Sequence, residues 1–353
     1  MSHETSQESE RRETERRRRA SAAQLNLPFS RSDEKQVDAV STEDSLFVFT
    51  NYSTFEVLSP DKIDPDLEGT NIPWAVIRRF PEGSRHPIIA RTALQIASAK
   101  GIVLIEQSST QKFFELALPI TTALLECYSI FDSARQEINS QIADVQNNYQ
   151  KLRAGPSAIV IPTAPTFDAH VRSFFGSAKR SITRISVALS DLLELKGIGH
   201  GRLDRINKTL VAQNDMEKQL LTILKRHEET AKYVIDARNT IEHPDKSKHF
   251  DSRNFYLNPS RQLVSPAWRL IHRDHDEEWY DFVANGSLLL ENLTNLAEAG
   301  IMLCILRRAT TPFPFYVSYV KAEERNPERP SAFAFSLQPL PQRKVVEDSK
   351  QDL

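Results

Sequence analysis

Two segments, residues 167–197 and 215–243, place their large apolar residues at three- and four-residue steps. In the first these are Val171, Phe174, Phe175, Ile182, Ile185, Leu189, Leu192 and Leu193; in the second, Met216, Leu220, Ile223, Leu224, Ala231, Val234 and Ile241. That period marks amphipathic α-helices, each needing a partner surface to cover its apolar face. A third segment, 277–309, is strongly apolar and also reads as a helix. The pattern therefore predicts antiparallel helices packed as a bundle over 167–309. Glycine is scarce, at 10 of 353 residues, which argues against a glycine-rich all-β chain and against phosphate-cradling loops.

The flanking regions are read against that bundle. Residues 1–44 are rich in Glu, Arg, Ser and Gln and read as a disordered charged tail. The run RRRR at 16–19 sits among glutamates and reads as a solvated mixed-charge stretch. Residues 45–153 read as a helical region with short strands: 45–58 is aromatic and β-branched, 87–105 has helical spacing, and 110–152 reads as a longer helix kinked or split at Pro119. Three prolines and a glycine make 154–166 a linker and the expected domain boundary. Within the bundle, 254–271 reads as a β-hairpin insert. The segment 310–340 is strand-rich, pairing with itself or with 45–58, and 341–353 is a polar tail. The expected fold is thus mainly α, an antiparallel helical bundle with a β-hairpin insert beside an N-terminal helical region carrying a few short strands.

The net charge of −2 gives no global field for nucleic acid. Cys127 and Cys304 each lie in an apolar run and read as buried thiols in a reducing compartment. The first residues lack an apolar core, and no run reaches the roughly 20 apolar residues of a membrane helix. These features predict a cytoplasmic protein with no membrane contact. Walker loops, GxSxG, HExxH and paired-glycine dinucleotide signatures are absent from the sequence. No cofactor or bound metal is expected. The clusters His243/Asp245/His249/Asp251 and HRDHDEE (272–278) carry metal-ligand chemistry without a recognised ligand spacing, and the second reads as a solvated loop ahead of a helix.

The strongest functional signal is DARNTIEHPDK, residues 236–246, at the end of the second helix. On a helix Arg238 stacks with Glu242, and Asn239 with His243, each at i, i+4. Arg238 and His243 are about 140° apart and do not share a face. Pro244 pushes His243 off helical geometry, so the helix ends there. These residues read in three ways: an Arg–Glu surface pair with Asn239 and His243 serving the last carbonyls, a catalytic site, or a non-catalytic ligand site. A basic stripe of Arg172, Lys179, Arg180 and Arg184 on the preceding helix could track phosphates or be an ordinary solvated face.

The arrangement R-N-x-x-x-H resembles the RX4-6H motif of the HEPN family of helical domains, and the resemblance spans about 166–309. It implies a metal-independent endoribonuclease of prokaryotic defence or stress response, formed by two copies whose motifs share one cleft. By that resemblance Arg238 would stabilise charge on the scissile phosphate, His243 would move the proton of the attacking 2′-hydroxyl, and Asn239 would position groups. The residue types suit this: imidazole titrates near neutrality and guanidinium presents a rigid fork to phosphate oxygens. The alternative is a non-catalytic helical module for dimerisation or partner binding. A homodimer, with RNA as a possible ligand, is the partner expectation.

Overall fold

The computed structural model describes residues 27–42, 45–64, 66, 74–102, 107–147, 153–155, 158–196, 202–260, 262–275, 278–308 and 315–337. Four antiparallel strands open the chain: β1 (Gln36–Ser41), β2 (Ser45–Thr50), β3 (Thr54–Leu58) and β4 (Ala75–Phe80), in the order β1-β2-β3-β4. A one-turn helix, α1 (Pro60–Ile63), sits between β3 and β4. Alternation along β2 explains the sheet's two buried faces. Phe47 and Phe49 point to the helices and meet the Phe114 ring at 4.9 and 6.2 Å. Val48 points the other way, into a small cluster with Phe55 and Val57 under Trp74.

Helices α2 (Pro87–Arg91), α3 (Ala93–Ile102) and α4 (Gln107–Asn147) follow. Pro119 lies inside α4, which runs through it as one helix. A short ribbon, β5 (Arg153–Gly155) with β6 (Ala158–Ile159), leads to α5 (Phe167–Leu192). Next come α6 (Leu203–Thr209), α7 (Asp215–Arg226) and α8 (Glu228–Glu242). The segment expected as one helix, 215–243, is broken at His227 (φ −88°, ψ 1°). Its N-cap is Asn214. The Asn214 side chain accepts from the Glu217 N–H at 2.9 Å, and Glu217 accepts from the Gln213 N–H at 2.9 Å, a near-reciprocal cap.

After α8, β7 (His249–Arg253), β10 (Ala267–Ile271) and β11 (Tyr280–Asp281) form a three-stranded sheet in the order β11-β10-β7. The small hairpin of β8 (Tyr256–Leu257) and β9 (Leu263–Val264) lies between β7 and β10 in sequence. α9 (Phe282–Arg308) then crosses the core, and β12 (Phe315–Tyr319) pairs with β13 (Phe333–Leu337).

Several expectations require correction. The structure is 55% helix and 20% strand, a mixed α/β arrangement with a four-stranded sheet and several smaller ones, rather than a mainly α antiparallel bundle. β1 lies inside the segment read as a disordered tail; residues 1–26 of that tail fall outside the described residues. The expected hairpin forms as β8 and β9, and the same segment also supplies β10 of the three-stranded sheet, whose Trp268, 1% exposed, stacks edge-on against Phe175 and Phe282 at 5.5 and 5.8 Å. The Pro-rich linker does not separate two cores. One continuous apolar cluster runs from Val40 to Phe333, and α4 packs along α5 across it.

By length and composition two stretches, Thr110–Val145 and Phe282–Arg308, are apolar enough to cross a membrane. In this fold both are core helices, with 50% and 72% of their most apolar windows buried. Charge is also buried at the centre. The Glu298 carboxylate of α9 pairs with Arg91 of α2, and accepts from Gln95 at 2.9 Å and from the Ala332 N–H at 2.8 Å. That cluster ties the end of the chain to the helices.

Candidate functional site

The C-terminal turn of α8 rests in the angle between α4 and α5. A cleft of about 520 Å³ opens there, lined by Glu126, Ser129, Ile130 and Ser133 of α4, by His170, Arg172, Ser173, Gly176 and Arg180 of α5, and by Arg238 and Ile241 of α8. Gly176 leaves the α5 backbone bare at the crossing. A Cβ at that position would lie 3.5 Å from Arg238 Nε and 3.9 Å from an Arg180 guanidinium nitrogen, so both guanidiniums lie close over bare backbone. Burial, and then the neighbouring Arg180 charge, lower the Arg238 pKa below the ordinary guanidinium range. The group stays protonated at any working pH; the shift reports its burial first and the neighbouring Arg180 cation second.

Each arginine of the cleft has a carboxylate partner. Arg180 reaches Glu126 at 2.6 Å, Arg172 reaches Asp168 at 2.8 Å, and Arg238 pairs with Glu242 one turn along α8. Asp168 is held below the usual carboxylate range, chiefly by its bond from Arg172. The cleft is therefore a set of exchangeable ion pairs rather than a bare cationic surface. Exposed pairs of this kind are worth about 0–1 kcal/mol each, so an anionic ligand can displace a carboxylate at small cost.

The three residues singled out by sequence separate here. Arg238 lines the cleft. Asn239 is held beside it, its Oδ1 accepting from Lys179 Nζ of α5 at 2.8 Å; Lys179 also lies 3.9 Å from Glu242. His243 ends the helix, with its N–H donating to the Asn239 carbonyl at 2.8 Å and its backbone at φ −134°, ψ 63°. That is the departure from helical angles expected before proline. The His243 ring is exposed and is not among the cleft's lining residues. The imidazole that does line it is His170, one turn into α5. Its Nδ1 is buried without a hydrogen-bond partner and lies 3.9 Å from Glu137 Oε2, too far for a hydrogen bond. Sequence reading missed His170 and Gly176. The one available signal was a glycine inside a strong helical pattern, a mark of close approach.

Of the basic stripe, Arg172 and Arg180 face the cleft and Lys179 supports its edge, while Arg184 is exposed further along α5. Cysteine chemistry has no place here: Cys127 and Cys304 are fully buried, and burial pushes the Cys304 thiol up to about 12. The cluster of His243, Asp245, His249 and Asp251 does not assemble. Asp245 folds back on the Ser247 and Lys248 N–H groups, and Asp251 takes Arg269 at 2.7 Å.

No protein-family model, no curated protein and no solved structure matches the chain.

Proposed function

We propose that the cleft between α4, α5 and α8 binds a phosphodiester backbone, and that the chain is an RNA-binding module that does not cleave its ligand. Arg180 and Arg238 meet over Gly176 and Arg172 lines the same cleft, and this carries the reading, because three guanidinium forks on one open cleft suit successive phosphate oxygens. The likeness of Arg238–His243 to the HEPN motif makes RNA the ligand class. Two features favour binding over cleavage: Arg238 is engaged by Glu242, and His243 stands outside the cleft. A cytoplasmic homodimer belongs to the same reading, since the exposed helix end at His243 is free to meet a second copy.

Cleavage is the second reading, and His170 favours it by placing an imidazole in the same cleft as Arg238. One experiment separates the two. Labelled single-stranded RNA is titrated with the full chain in EDTA, read by fluorescence anisotropy and then by gel. The binding reading expects salt-sensitive association, weakened by Arg238→Ala and Arg180→Ala, with RNA recovered intact. Intact RNA with no association, or association that both variants retain, overturns it. Cleavage lost in His170→Ala or His243→Ala transfers the assignment to a ribonuclease and names its imidazole.

A further inference from the structure

Asp236, His272 and His275 bring one ligand atom each to within 4.8 Å of one another. Asp236 stands on α8 two residues before Arg238, about 200° round the helix, so this cluster faces away from the arginine cleft. The two histidines face each other across the tight turn after β10. The His275 N–H donates to the His272 carbonyl at 3.0 Å, and the ring centroids are 5.4 Å apart. His275 Nε2 lies 2.9 Å from Asp236 Oδ2. All three side chains are half-buried, and the Tyr233 ring walls one side at 5.2 Å from His275. A second contact fastens the turn to α8: Lys232 Nζ donates to Asp274 Oδ2 at 3.1 Å. Arg273 also leans on Asp274, at 3.6 Å, so the nearby cations are already matched.

We propose that Asp236, His272 and His275 form a binding site for a divalent transition-metal ion of the zinc class, with a position left open to water. Two imidazole nitrogens and one carboxylate oxygen are the donor set such ions take when one coordination position stays open. Ligand bonds of about 2.0–2.1 Å at tetrahedral angles put neighbouring donor atoms about 3.4 Å apart. The His275–Asp236 separation of 2.9 Å is already inside that distance, and the remaining separations, within 4.8 Å, close by up to about 1.4 Å through side-chain rotation in a two-residue turn. Two internal contacts are given up. The His275–Asp236 hydrogen bond goes, because His275 Nε2 and Asp236 Oδ2 both become ligands and the ring nitrogen no longer carries a proton. The Asp274 N–H also donates to His272 Nδ1 at 3.3 Å. That weak bond is lost whichever His272 nitrogen binds the ion, because ligation either uses the Nδ1 lone pair or moves the proton onto Nδ1. The bound ion would pin the β10–β11 turn to α8.

The competing account is a plain His–Asp hydrogen bond that tethers the turn without an ion. Two variants separate the accounts without disturbing the fold. Asp236→Asn keeps a hydrogen-bonding partner for His275 but removes the anionic ligand, and His272→Ala leaves the tether untouched. The full chain, stripped with EDTA and carrying no histidine tag, is titrated calorimetrically with Zn2+ and with Mg2+, and spectroscopically with Co2+. The proposal expects saturable uptake of Zn2+ with one site per chain, a tetrahedral Co2+ absorption band, and no Mg2+ response. Each variant should weaken Zn2+ by more than about tenfold, since loss of even a supporting partner of a metal ligand costs that much. Metal-free thermal melts verify that the variants are folded. Absence of saturable Zn2+ uptake, or uptake unchanged in Asp236→Asn and His272→Ala, overturns the proposal and leaves the tether, with any bound ion at other histidines.

Discussion

Arg238 and Glu242 form an ion pair within the last turn of α8, and that pair holds the one motif arginine that reaches the cleft. Both side chains are partly exposed, at 26% and 37%, so the pair is a latch that solvent already weakens. Glu242→Gln should free the Arg238 fork and remove a negative charge from the cleft edge. RNA association at low salt is expected to tighten by about threefold, corresponding to a pair worth about 0.5–1 kcal/mol. Anisotropy titrations of the variant against the wild type check this; weaker association would mean that Glu242 orients Arg238 productively.

Glu298 makes the opposite kind of ion pair. Its carboxylate is fully buried, Arg91 is 3% exposed, and the Ala332 and Phe333 N–H groups donate to Oε1 at 2.8 and 3.2 Å. Glu298→Gln leaves a buried guanidinium without its counter-charge. The expected loss is about 3–5 kcal/mol, a large share of a typical domain's stability, read from the midpoint of a urea melt. Adding Arg91→Met should recover part of it, because the glutamine oxygen still accepts from the two strand N–H groups.

The helices were legible because their apolar residues recur at the helical period, as in Val171, Phe174, Phe175 and Ile182 of α5. β1 and β4 were not. QVDAVS abuts a highly charged stretch, and AVIRRF turns Arg78 and Arg79 to solvent at the sheet edge, so neither shows an apolar run. The break at His227 lies in a polar stretch with no glycine or proline to mark it. At the site, the Arg238–Glu242 pair and the helix end at His243 follow from local spacing and from Pro244. The bond from Lys179 to Asn239 joins residues 60 apart, and the approach of Asp236 to His275 joins residues 39 apart. Contacts at such separations are set by packing of the core, which local pattern does not encode.

Acid should destabilise the protein through two imidazoles, half-buried His86 and buried His227. Burial lowers the His86 pKa from 6.5 to about 4, with Asp132 opposing, and burial also lowers that of His227. A histidine whose folded pKa is depressed binds its proton more readily in the unfolded chain. Stability is therefore unaffected above about pH 6.5, falls as pH drops through that value, and reaches its full loss near the folded pKa. For His86 the span of 6.5 to about 4 corresponds to about 3 kcal/mol. His86 also caps α2, its Nδ1 accepting from the Ile88 N–H at 3.3 Å. His86→Asn retains a capping acceptor and cannot titrate, so urea melts between pH 7 and pH 4 should lose much of their slope in this variant.

Two helical glycines should respond in opposite directions to the same change. Gly286 of α9 faces Phe131 of α4, and a Cβ there would lie 2.7 and 2.9 Å from the ring. The ring is itself wedged against Phe174 and Phe282, with centroids 6.1 and 5.6 Å away, so it has little room to retreat. Gly286→Ala should cost about 1–3 kcal/mol despite the better helix propensity of alanine. At Gly176 the nearest atom to a new Cβ is Arg238 Nε at 3.5 Å, an ordinary contact with a partly exposed side chain. Gly176→Ala should therefore show the propensity gain of about 1 kcal/mol in thermal or urea melts. A loss at Gly176 would mean that the two guanidiniums are held more rigidly than their exposed carboxylate partners imply.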